Sequence, residues 1–264
     1  MTKKRIATLA TCLTLVGAVA VGGTLALLTS QVENLQNTFT VGDNYDTTPA
    51  NPDFILRESD VKQGPDGGYV DNDGEDVTEA VKNEYKNLVS NTTLWKDPTF
   101  TLRNANEDGK TPPDSWVVAK LDQADIEAMA NANIKFDDES VSTGWYLVTG
   151  QLTDGTWEYS KNETPLTYSD LQNLGADDGE TKYYFIYNQA LEAGQSTAPL
   201  FTKLSVGTVN ENTVATNLDV FGVAVQVVEG YGIEGNNDTN NLNEVMNSAA
   251  KLLDDAVAAT HAGE

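Results

Sequence analysis

The 264-residue chain carries 40 Asp and Glu against 16 Lys and Arg, a formal net charge of −24. Nucleic acid is excluded as a partner, because neutralising its phosphates takes a cationic surface that this composition lacks; anionic lipid is disfavoured for the same reason. The single cysteine, Cys12, lies in the N-terminal apolar run, so everything after it has no disulfide and no thiolate-ligated metal and must be held by packing alone.

At the start of the chain, Lys3, Lys4 and Arg5 precede residues 6–28, which contain no charge. That is the pattern of an export signal. The run is long enough to span a bilayer, so a retained anchor is the alternative, but Gly17, Gly22, Gly23 and the interspersed threonines weaken it as a stable helix. Thr24 and Ala26 supply the small side chains a signal peptidase requires, which places the cut between Ala26 and Leu27. Residues 1–26 are then a signal peptide and residues 27–264 a single secreted domain, of a size that all-β folds commonly fill as one unit. Loss of the leader makes the balance three charges more negative. Such charge keeps subunits soluble and mutually repelling while attracting Ca²⁺, Mg²⁺ or basic partners; solubility outside the cell is the plainer reading.

In residues 27–41, Leu35, Phe39 and Val41 alternate with Gln36, Thr38 and Thr40 in the period of a half-buried strand. Leu28, Val32, Leu35 and Phe39 also fit helical spacing, and the Thr and Val content favours the strand. Residues 42–76, rich in Asp, Asn, Gly and Pro around Phe54, Ile55 and Leu56, read as long acidic surface loops. Thr78 caps a predicted helix in which Val81, Tyr85 and Leu88 share a face. Strand signals then recur at 99–103, 115–121, 144–152, 156–160, 182–188, 200–206 and 219–228. Many short strands separated by turn residues imply a sandwich or barrel. In the last of them Phe221, Val223, Val225 and Val227 share one face; Val220, Gly222, Ala224 and Gln226, smaller or more polar, share the other. Short helices are expected at 123–132 and 169–174. A final helix over 242–258 carries the stripe Leu242, Val245, Met246, Ala249, Leu252, Leu253 and Ala256, a core-packing face rather than a partner site.

Chemistry-bearing patterns are sparse. The sole histidine is His261 and there is no H-E-x-x-H, which argues against zinc hydrolysis and against Ser–His–Asp or Cys–His catalysis. Nothing singles out a carboxylate pair of the glycosidase kind. The run at 71–76, DNDGED, invites a Ca²⁺ reading, yet placing Gly74 at the sixth position of an EF-hand loop puts Tyr69 first and Ala80 twelfth, so both end ligands are missing. It reads as a solvated acidic turn, and so does GNNDTNN from Gly235. No catalytic residue, metal site or cofactor is expected. Trp95, Trp116, Trp145 and Trp157 sit in strand-like runs and read as core rather than as carbohydrate contacts. A Lys–Asn isopeptide bond would draw on Lys96, Lys120 or Lys203 and on Asn34 or Asn37. The terminal ATHAGE is neither a hydrophobic tail nor a sortase-type pentapeptide, so covalent wall anchoring is not expected.

The segment GGTLALLTSQVENLQNTFTVGD resembles the signal class processed by the dedicated peptidase SipW, with Gly-Gly-Thr before the cut and N-x-F-x-x-G after it. WKDPTFTLRN followed by DSWVVAKL, then YYFIYNQALEAGQSTAPLFTKLSV with its turn at Gly194, then VFGVAVQVVEGYGI, resemble the body of the TasA and camelysin-like biofilm-matrix proteins. The resemblance implies a jelly-roll-like β-sandwich whose freed N-terminal strand inserts into a neighbour's sheet. Carried over, the donor is 27–41 with Leu35, Phe39 and Val41 as buried anchors. The implied partners are other copies of the chain, related matrix proteins, and a signal peptidase during export. The implied location is the exterior of a Gram-positive-type bacterium, with membrane contact only through the uncleaved signal. The alternatives are a donor segment that completes its own sheet, a monomeric surface adhesin or carbohydrate binder, and, third, a camelysin-like peptidase that the missing zinc motif disfavours.

Overall fold

A computed structural model describes residues 29–33, 36–40, 53–72, 83, 85, 88–104, 111–139, 143–175, 177–209, 218–227 and 239–261. In chain order the elements are β1 (Thr29–Glu33), β2 (Gln36–Thr40), β3 (Phe54–Arg57), β4 (Val61–Gln63), β5 (Tyr69–Asp71), β6 (Thr92–Trp95), β7 (Thr99–Leu102) and β8 (Ser115–Leu121). They continue with α1 (Gln123–Asn131), β9 (Ile134–Phe136), β10 (Trp145–Thr153), β11 (Thr156–Lys161), α2 (Tyr168–Gln172), β12 (Thr181–Tyr187), β13 (Lys203–Val206), β14 (Val220–Gln226) and α3 (Thr239–His261). The larger sheet has seven strands in the order β11-β10-β12-β8-β14-β1-β2; facing it are a five-stranded sheet, β4-β5-β6-β13-β9, and the pair β3-β7.

The expected mainly β sandwich is therefore present, with α3 added as a third layer on the outside of the larger sheet. Strands β8 and β14 read as nearly unbroken apolar runs, SWVVAKL and VFGVAVQ, because both of their faces are covered. Toward the smaller sheets, Val117, Ala119, Leu147, Phe185, Val220 and Ala224 meet Phe54, Phe100, Leu204 and Phe136. Toward α3, Trp116, Val118, Tyr184, Phe221, Val223 and Val225 meet Leu242, Val245, Met246, Ala249 and Leu253. The stripe on the C-terminal helix is thus core, as the sequence implies. Both faces of β14 are core: the bulky side lies under α3, and the small side faces the interior of the sandwich. Its Gly222 is where Phe100 enters, since a Cβ there would stand 2.0 Å from Phe100 Cε1.

Three expectations need correction. Residues 27–41 do not form one strand: β1 and β2 are antiparallel neighbours, and Glu33 opposite Gln36 leaves Asn34 and Leu35 between them. Part of 42–76 is sheet rather than loop. β3 pairs with β7 because Phe54, Ile55 and Leu56 bury there, and β4 and β5 form a hairpin closed by Gly64 N–H donating to Gly68 O at 2.8 Å. The acidic, glycine-rich composition marked the turns and hid the strands between them. Of the helix expected from Thr78, Val81 lies outside the described residues, while Tyr85 and Leu88 are not helical and rest against the inter-sheet core. The remaining boundaries agree within a few residues, β13 starting three residues later than expected. The signal segment, including Ala26 and Leu27, lies outside the described residues.

Candidate assembly site

The edge of β14 is where the N-terminal strands attach. β1 runs antiparallel to it with Thr29 opposite Val225 and Val32 opposite Gly222, and β2 continues the ladder on the far side of β1. α3 rests on β1, and β3 touches it as well. A strand in this position completes a sheet that is core on both faces, so an empty β14 edge would leave four residues of ladder unpaired in an apolar surround. Each ladder bond nets about 1 kcal/mol, and an unsatisfied buried group costs more.

The ladder has a definite end. Val220 is the first residue of β14, and the preceding Asp219 turns both of its backbone groups to the side of β8 and α1, away from β1. Its N–H donates to Asp125 Oδ2 at 2.7 Å, and its carbonyl accepts from Asp122 N–H at 3.3 Å. Asp122 is the N-cap of α1, accepting from Ala124 N–H at 2.9 Å, and its other oxygen takes His261 Nε2 at 2.8 Å. Burial holds the Asp125 carboxyl above its usual range, against the opposing pull of the Asp219 N–H.

α3 is fixed over this region by polar contacts at several points. Lys120, on the helix-facing side of β8 and 3% exposed, reaches Asp254 Oδ1 at 2.8 Å and Asp177 Oδ2 at 2.5 Å. Lys182 pairs with the other oxygen of Asp254, and Tyr184 O–H donates to the same carboxylate at 3.0 Å. Burial pushes the Asp254 carboxyl up, but Lys120 and Lys182 more than offset this and hold it below its usual range. Tyr184 is raised by burial and by Asp254. Toward the other margin of the sheet, Asn243 of α3 accepts from Tyr159 N–H of β11 at 2.8 Å. These groups escape a motif search, although a lysine inside SWVVAKL should be suspected of having a buried acid partner.

Among the residues singled out from sequence, Leu35 and Val41 lie outside the described residues, while Phe39 is in β2 opposite Ser30. Trp116 and Trp145 are core, and Trp95 and Trp157 are half-buried, with the Lys182 ammonium 4.8 Å from the Trp157 ring centre. Lys96 pairs with Glu58 at 2.5 Å and Lys203 with Glu139 at 3.2 Å, so these lysines and Lys120 have carboxylate partners; Asn34 lies outside the described residues, and Asn37 is opposite Val32. Of DNDGED, Asp71 ends β5 and Asn72 donates to Asp60 at 3.0 Å; the remainder lies outside, as does most of GNNDTNN. Among the described residues no group of three or more His, Cys, Asp or Glu could hold a metal, and no helix is long and apolar enough to cross a membrane.

Fold and site together define a mainly β sandwich, backed by a helix, whose N-terminal strands complete its larger sheet. Compared with family models, curated proteins and solved structures, the chain has no significant match.

Proposed function

We propose that this chain is an exported structural subunit that assembles with copies of itself into a matrix or surface fibre through its N-terminal strands, with no catalytic role. One observation carries the reading: β1 fills the edge of β14, a strand that is core on both faces, and it comes from the segment next to the expected cut at Ala26–Leu27. Donated between molecules, the same ladder would supply main-chain hydrogen bonds for affinity and side-chain register for specificity. While the leader remains attached, the segment is tethered to the membrane and not free to pass to a neighbour. The resemblance of GGTLALLTSQVENLQNTFTVGD to SipW-processed signals supports the same reading.

The test compares the chain beginning at Leu27, which contains every described residue, with the chain retaining residues 1–26, using electron microscopy and light scattering. Fibres are expected only from the shortened form; a stable monomer at all concentrations would sink the proposal. A carbohydrate-binding role has less support, since two of its four candidate tryptophans, Trp116 and Trp145, are core.

A further inference from the structure

We infer that the unit exchanged between copies is the preformed hairpin of β1 and β2, not a single extended arm, and that its receptor is the edge of β14 in a second copy of this chain. The inference rests on the assembly reading above and departs from the straight 27–41 donor expected from sequence.

The length of the receptor decides it. Thr29 opposite Val225 and Val32 opposite Gly222 set the register, and only Phe221 and Val220 of β14 remain beyond that pairing. Val220 is the first residue of β14. Beyond it, Leu218 and Asp219 are not strand, and Asp219 directs its N–H to Asp125 and its carbonyl to Asp122 on the β8 side. A straight arm would therefore run off the end of β14 two residues past Val32, with no described strand there to continue on. Folding back removes that loss: β2 takes its ladder from β1, with Gln31 opposite Thr38 and Val32 opposite Asn37, and asks nothing of β14. A hairpin moved intact also keeps its internal ladder throughout, so less order has to be created on docking than for a free arm.

The occupant is a hairpin from a second copy, because the hairpin already seated on β14 belongs to this chain and a second copy presents the same backbone to the same edge. From Thr40 to Asp53 the chain, fully extended, reaches about 45 Å, enough to carry a hairpin to a neighbour. Exchange then replaces each within-chain contact by its between-chain equivalent, as in domain swapping, and open head-to-tail repetition of the swap produces a filament.

Paired cysteines separate the possibilities, and the chain from Leu27 has no cysteine of its own. Gln31→Cys with Thr38→Cys locks β1 to β2; Ser30→Cys with Ala224→Cys locks β1 to its own β14 when oxidised as a monomer. Directly opposed residues in antiparallel strands stand within disulfide reach. The β1–β2 lock is expected to assemble as the unmodified chain does. The β1–β14 lock is expected to lose assembly and regain it on reduction, which also shows that the variant folds. If the β1–β2 lock abolishes assembly and reduction restores it, a straightened arm is donated: the hairpin inference falls and the fibre reading survives. If the β1–β14 lock assembles while oxidised, the hairpin never leaves and the inference falls. If the unmodified chain from Leu27 does not assemble, the fibre reading fails and takes this inference with it.

Discussion

Lys120 is a cation in the middle of an apolar strand, tolerated because Asp254 and Asp177 share it and the Tyr184 ring lies 4.5 Å away. Replacing Asp254 by Ala leaves Lys120 with Asp177 alone and Tyr184 without its acceptor; a loss of about 2–3 kcal/mol in urea unfolding is expected, toward the low end for a buried pair because Asp177 remains. Replacing Lys120 by Met together with Asp254 by Leu should recover part of it, since the most deeply buried charge goes with its partner, while Asp177 and Lys182, each about a quarter exposed, lose theirs. The pH dependence follows from the depressed acidity of Asp254. Its contribution is fully present above the unfolded value of about 3.9 and is lost as pH falls through the lower folded value. The stability gap between the wild type and Asp254→Asn should therefore hold steady from neutral pH into mild acid and close only below about pH 4. Gly222 offers a second test. Adding a Cβ forces Phe100 aside, so Gly222→Ala should cost about 1–3 kcal/mol, and Phe100→Leu in the same chain should cost less than the two changes summed, as measured by a double-mutant cycle.

At the scale of elements, α3 and the N-terminal hairpin finish opposite margins of the same sheet. β11 is protected by Asn243, whose side chain takes the Tyr159 N–H that would otherwise face solvent as an unpaired ladder donor. Asn243→Ala should cost about 1 kcal/mol and raise non-specific aggregation in light scattering, with the proposed β1–β14 exchange unaffected. Much of this architecture was legible in sequence: β8, β10, β12, β14 and α3 were placed from periodicity alone, because each is long enough to show its period. β3, β4, β5, β6 and β9 span three or four residues, too short for any period to register. The hairpin was hidden for another reason. The sequence between Glu33 and Gln36 holds no Asn-Gly or Gly-containing pair of the kind that signals a short turn, so the run from Thr29 to Thr40 reads as uninterrupted. The lock on α3 was half visible, as a lysine in SWVVAKL and an aspartate beside the apolar stripe of the last helix; what joins them is a sheet order that no local pattern encodes.

For the molecule as a whole, the net charge of −24 opposes any association between copies. The proposed assembly should accelerate with added salt, with divalent cations or on mild acidification, because each weakens that repulsion. Turbidity or thioflavin-type kinetics across a salt series would check this, and fastest assembly at the lowest ionic strength would contradict it. Asp254 stays ionised in mild acid, so the acid effect should act on encounter between subunits and leave the docking of α3 untouched.

The asparagine plug at one margin of the larger sheet and the hairpin at the other would, if the hairpin is exchanged as proposed, give the subunit a sense of direction. A stack built from such pieces has a head unlike its tail, so its two tips should lengthen at unequal speeds. Two-colour seeding, with labelled seeds extended by differently labelled subunits, would reveal the faster tip directly.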